Sequence, residues 1–155
     1  TVRTITREDV SALEVAILQR FPSFSLMIKP MASTRCTTWG STVYIPTSWG
    51  MLPPATHYIR LKHEAVHLEQ FARLGKLRFL WQYARNNGRY LIERDAFAAE
   101  MAAVYETQGA DVLRIRLPYF VSQFTGNAYW YCCDTPGVAQ AWVDAEYARI
   151  VASGV

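Results

Sequence analysis

Apolar positions along this chain change period near residue 24 and again near residue 55, dividing it into three stretches. In the first, Val10, Leu13, Ala16 and Ile17 recur at helical spacing behind Thr6, Glu8 and Asp9. Acidic residues suit the positive end of a helix, so the pattern predicts one that closes before Pro22. In the second stretch, residues 24–28, 34–39 and 42–45 are short and rich in β-branched and aromatic side chains. Lys29-Pro30 and Gly40-Ser41 separate them, which predicts a small antiparallel sheet containing a hairpin. Pro46 and the stretch from Gly50 to Pro54 end the strand pattern.

From Ala55 onward the period is helical. Ile59, Ala65, Val66, Leu68, Phe71 and Leu74 line up over several turns, and Gly75 stands where a left-handed C-terminal cap belongs. A short helix over 77–84 leads to Asn86-Asn87-Gly88. The next, over 89–107, gathers Ala96, Phe97, Ala103 and Val104 on one face and stops before Gly109. Thr135 as cap and Pro136 as first helical residue open a last helix carrying Trp142, Val143, Tyr147 and Ile150. Helix, small sheet, then helices is the order of an α+β fold.

Composition narrows the classes. The 155 residues contain no repeat or linker-like run and read as one domain, 1–155, long enough to bury about 70% of the surface its unfolded form exposes. With 51% hydrophobic and 19% charged residues the chain is too apolar to stay disordered, so it needs no metal or disulfide merely to fold. Net charge is +3, with the cations scattered along predicted helices from Arg60 to Arg94. Spacing of that kind marks solvated faces, and no nucleic-acid partner is expected. No apolar run is long enough for a membrane span and no leader pattern opens the chain, so the expectation is a soluble protein. Cys36, Cys132 and Cys133 are odd in number, two of them adjacent, and lack CxxC spacing; buried reduced thiols are expected, which favours a cytoplasmic setting. The aromatic run Tyr119, Phe120, Phe124, Tyr129, Trp130, Tyr131 reads as core, with a substrate wall or an oligomer or assembly contact as its other uses.

The chemistry concentrates in LKHEAVHLEQ, residues 61–70. His63 and His67 are four apart, so on a helix both project the same way with Cβ atoms about 5–6 Å apart and can reach one ion. Neutral imidazole suits zinc, and a catalytic zinc takes three protein ligands and leaves a position for water. Glu64, turned about 100° around the helix, can address that water as a general base without being a ligand. The third ligand is not another histidine of the metzincin pattern HExxHxxGxxH, because Gln70 and Arg73 occupy the required Gly and His positions. His57, the remaining histidine, falls near the helix start and is a candidate substrate contact. An acidic third ligand is left, and YLIERDAFAAE, residues 90–100, offers Glu93, Asp95 and Glu100. Helical phase puts Glu93 and Glu100 on the apolar face with Ala96, Phe97 and Val104, where a carboxylate is costly unless paired or bound to metal. They are about 10 Å apart along the axis, too far for both to hold one ion.

HEAVH followed 26 residues later by Glu93 in ERDAFAAE resembles the gluzincin clan of zinc metallopeptidases, in particular the small minigluzincins, over about residues 58–101. The resemblance implies a zincin-like fold, Zn2+ held by His63, His67 and Glu93, and Glu64 as the base. It also implies Asp95 as an acid orienting a histidine, which leaves Glu100 to bond a neighbouring polar group. A strand bordering the cleft would pair with an extended peptide, and Thr42, Val43, Tyr44 and Ile45 are the candidates, with Pro46 ending the edge. Tyr129, Tyr131, His57 or an arginine would then donate to the oxyanion. The expected function is a zinc peptidase acting on a peptide or protein substrate. The alternatives are a non-catalytic zinc-binding or structural module of a larger assembly, and a zinc hydrolase acting on a non-peptide amide.

Overall fold

The computed structural model describes residues 2–28, 35–129, 132–133 and 135–154. Thr6 caps the first helix, α1 (Arg7–Arg20), through a reciprocal pair: its hydroxyl accepts the Asp9 N–H, and the Asp9 carboxylate accepts the Thr6 N–H at 2.9 Å. Arg3 ties this end of α1 to the helical layer, donating to both Asp9 and Glu106.

Strands β1 (Ser25–Ile28), β2 (Thr37–Trp39) and β3 (Thr42–Ile45) form one sheet in the order β1-β3-β2. β2 and β3 pair antiparallel across the Gly40-Ser41 turn, as the hairpin pattern predicts. β1 runs parallel to β3, however, so the sheet is mixed rather than antiparallel. The chain does not double straight back after β1; it reaches β2 first, and β3 returns from the hairpin into the space between the other two. The turn expected at Lys29-Pro30 and the first residue of the 34–39 strand lie outside the described residues.

The α-helices α2 (Pro54–Leu74), α3 (Lys76–Tyr83), α4 (Asn86–Thr125) and α5 (Pro136–Ser153) follow. Pro54 opens α2, where its missing N–H costs nothing. Gly75, at φ 73°, turns the chain from α2 into α3. The chain after 107 departs from the expected stop. Gly109 does break the helix, with φ 86° and ψ 173°, but helical backbone resumes and runs to Thr125. Leu113, Phe120 and Phe124 explain the continuation, since they are spaced by seven and four residues and are all fully buried. Asn86-Asn87-Gly88, expected between two helices, is the first turn of α4.

Among the described residues, five α-helices with one three-stranded sheet make the fold α+β. α4 packs against both α2 and α5. Phe97, Leu61, Met101, Leu113, Phe120, Phe124 and Ile150 form the centre of the core. Phe97 sits edge-on to Phe120, Phe124 and Tyr129, with ring centroids 5.3–5.8 Å apart. Of the aromatic run, Phe120 and Phe124 are fully buried and unavailable for an assembly contact and Tyr119 is half exposed, while Trp130 and Tyr131 lie outside the described residues. The cysteines are all free thiols, Cys132 and Cys133 buried and Cys36 half-buried. Among the described residues no helix is long and apolar enough to cross a membrane.

Candidate metal centre

Helical phase on α2 sets one stripe of polar side chains: Arg60, His63, Glu64, His67 and Gln70 recur at three- and four-residue steps. The stripe faces α4, which presents Glu93 and Glu100 from its own inward face. His63, His67 and Glu93 are all buried, Glu93 to within 1%. Their ligand atoms converge. His63 Nε2 lies 3.2 Å from His67 Nε2, and Glu93 Oε2 lies 3.7 Å and 3.5 Å from these two nitrogens. A tetrahedral ion with bonds of about 2.0–2.1 Å separates its ligands by about 3.3–3.4 Å, so this triangle has the right size for one such as zinc. Glu93 Oε2 is buried with no hydrogen-bond partner among the described residues, a cost that an ion at the centre of the triangle removes. The donor set, two imidazoles and a carboxylate, also suits zinc.

Each of the three side chains is held by a partner behind it. Tyr83, from α3, donates its hydroxyl to Glu93 Oε1 at 2.9 Å, leaving Oε2 to face the imidazoles. Gln70 fixes His67: its amide nitrogen donates to the Ile92 carbonyl at 3.0 Å and to Asp95 Oδ2 at 3.3 Å, so its oxygen faces His67 Nδ1 at 3.0 Å. That arrangement places a hydrogen on His67 Nδ1, so the neutral ring carries its lone pair on Nε2, toward the centre. Glu100 Oε2 stands 2.9 Å from His63 Nδ1, close enough for a strong charge interaction though off the line of a well-formed hydrogen bond. Phe97 closes the side, its ring edge-on to His63 at 4.8 Å.

Titration follows from this packing. Burial works against a charged His63, but the carboxylates of Glu100 and Glu93 outweigh it and raise its pKa from 6.5 to about 10. His67 is likewise raised, burial being outweighed mainly by Glu93. Burial opposes the charge on Glu93, yet His67 and His63 hold it well below the usual carboxylate range. Burial and the Glu93 charge push the Tyr83 phenol up, so it remains a donor. Tyr129 is raised for the same reasons, burial first and then Glu93, Tyr83, Glu64 and Glu100.

Glu64 is buried beside the triangle and takes no part in it. Thr38 Oγ1, from β2, donates to Glu64 Oε2 at 2.6 Å. The carboxylate faces two cavities. One of about 310 Å³ is walled by β2 and α3, with Trp39, Phe79, Leu80 and Tyr83 beside His63, His67 and Glu93. The other, about 90 Å³, is polar and includes Arg35, Arg60, Glu100 and Gln123. Tyr129 and Cys36 line both.

The structure therefore brings together His63, Glu64, His67 and Glu93. Asp95 touches no histidine; it is exposed and reaches His67 through Gln70. The expected substrate edge is displaced. Thr42, Val43, Tyr44 and Ile45 form the central strand, with β1 and β2 paired along its two edges and Val43 fully buried, so β3 is not an open edge for a peptide. β2 borders the cleft instead, and among the described residues no strand pairs with its outer edge. His57 is not in the site: it stacks on Trp49, ring centroids 4.3 Å apart, with Nε2 against the Trp49 carbonyl. Thr38, Gln70, Tyr83 and the pairing of Glu100 with His63 had no signal of their own in the sequence, except that Glu100 shares the inward phase of Glu93.

No family model matches the chain, and no curated protein or solved structure is significantly similar to it.

Proposed function

We propose that the chain is a zinc-dependent hydrolase that cuts peptide bonds, with a zincin-like site of the gluzincin type: His63, His67 and Glu93 hold the ion and Glu64 is the general base. The observation that carries the reading is the triangle of two Nε2 atoms and a buried carboxylate oxygen that has no hydrogen-bond partner among the described residues, with a carboxylate that is not part of it on the same cleft. When bound, zinc lowers the pKa of water and polarises a carbonyl.

The chain's own residues do the rest. Glu64 takes a proton from the attacking water and returns it to the departing amine. Thr38 fixes the carboxylate by donating to one oxygen, which leaves the other for that proton. Tyr129, protonated and facing both cavities, is the donor for the oxyanion of the tetrahedral intermediate. The outer edge of β2 offers main-chain groups to an extended substrate, in place of β3.

A closed structural metal site would surround the ion with four protein ligands. Among the described residues three ligand atoms converge and a 310 Å³ cavity adjoins them, which favours catalysis over a purely structural role. The test is Glu64→Gln: it is expected to keep zinc and to lose hydrolysis by about 10²-fold or more. Cleavage at the wild-type rate would overturn the assignment.

A further inference from the structure

Arg60 lies one turn before Glu64 on the same stripe of α2. Its Nη1 is buried and has no hydrogen-bond partner among the described residues. A buried guanidinium nitrogen left without an acceptor is costly. Arg60 lines the polar cavity at Glu64 and also an adjoining cavity of about 410 Å³ that shares Glu100 and Tyr119 with it.

The surrounding charge favours an anion. Arg35 lines the first cavity and donates to Gln123 Oε1 at 3.0 Å; Arg116 lines the second. Two carboxylates face the same space, and both are engaged: Glu64 accepts from Thr38, and Glu100 stands against His63. Across the two adjoining cavities Arg35, Arg60 and Arg116 outnumber Glu64 and Glu100 by one among the described residues, and the excess lies in the larger, where Arg60 and Arg116 face Glu100. On the other side of Glu64 the large cavity is apolar, with Trp39, Phe79 and Leu80 in its wall. The two ends of the cleft thus select different chemistry.

We propose that Arg60 anchors an anion subsite of the cleft, and that the substrate is a peptide with a carboxylate one or two residues from the bond that is cut, opposite an apolar side chain. The spacing comes from the helix, where four residues rise about 6 Å, against about 3.3 Å per residue of an extended peptide. The proposal rests on the hydrolytic reading above. The carboxylate has two possible sources, a free C-terminus or an Asp or Glu side chain.

Matched N-acetylated peptides with a leucine test it. One pair ends in a free carboxylate or an amide, and a second pair, amidated, carries Asp or Asn. For the zinc-loaded protein the charged member of one pair is expected to exceed its neutral partner at least tenfold in kcat/KM, and the responding pair identifies the source. In Arg60→Gln that ratio is expected to collapse toward one, while Arg60→Lys, which keeps the charge, retains part of it. Equal rates within both pairs, or a preference that survives Arg60→Gln, overturns the subsite while leaving hydrolysis in place. Calorimetric binding of the same peptides to zinc-loaded Glu64→Gln separates the two readings. A carboxylate preference lost on adding Arg60→Gln, from a protein whose wild type cuts nothing, upholds the subsite and removes the hydrolase.

Discussion

Glu100 Oε2 sits 2.9 Å from Nδ1 of His63, on the side of the ring opposite the triangle that Nε2 forms with His67 and Glu93. A carboxylate there orients the ring and strengthens the far nitrogen as a ligand. Glu100→Gln keeps the shape and removes the charge, and is expected to weaken zinc about 10- to 100-fold. Competition with a chromophoric chelator reads this directly; unchanged affinity would mean that Glu100 has no part in holding His63.

Gln70 and Asp95 act in series on His67, which predicts unequal effects. Gln70→Leu removes the acceptor of Nδ1 and is expected to cost about tenfold or more in zinc affinity. Asp95→Ala leaves Gln70 with the Ile92 carbonyl, so its expected effect is severalfold smaller. Chelator competition on both variants checks the order, and an Asp95 effect equal to or larger than that of Gln70 contradicts it.

Thr38 reaches Glu64 from the sheet, not from either metal-binding helix. Thr38→Val preserves volume and removes a hydrogen bond to a charged group, a contribution of about 1.5–3 kcal/mol. The expected result is a kcat lowered about tenfold or more, with zinc content and KM little changed. Loss of zinc in this variant would show that β2 supports the metal rather than the base.

Much of the centre is legible in the sequence because its information is helical. HEAVH and the shared phase of Glu93 and Glu100 survive as three- and four-residue steps whatever the helices pack against. The choice between Glu93 and Glu100 is different, since both face inward and packing alone aligns Glu93 with the histidines and Glu100 with the back of one ring. Strand order is equally non-local: the residues 42–45 show a strand but not that β1 and β2 flank it. Gly109 marks a real break, yet the buried Phe120 and Phe124 carry the helix on beyond it.

Proton binding by the site gives the metal-free protein a defined pH dependence. His63, with its pKa raised from 6.5 to about 10, contributes stability that is complete below 6.5 and lost as pH rises through about 10. Glu93, depressed from 4.5, contributes above 4.5 and loses that contribution on further acidification. For these two groups the optimum in chelator therefore falls between 4.5 and 6.5. Melting temperatures across pH check it, and saturating zinc, which needs neutral imidazoles, is expected to flatten the alkaline decline. Stability that climbs from pH 6.5 toward 10 in chelator would contradict this charge arrangement.

The most direct test is an anomalous difference map at the zinc edge, from crystals of protein supplied with zinc. The expected result is one zinc per chain bound by His63 Nε2, His67 Nε2 and a Glu93 oxygen at about 2.0–2.2 Å, with the remaining position open to the cleft. No peak within the triangle, a zinc held by Glu100 in place of Glu93, or a fourth protein ligand closing the site would contradict it.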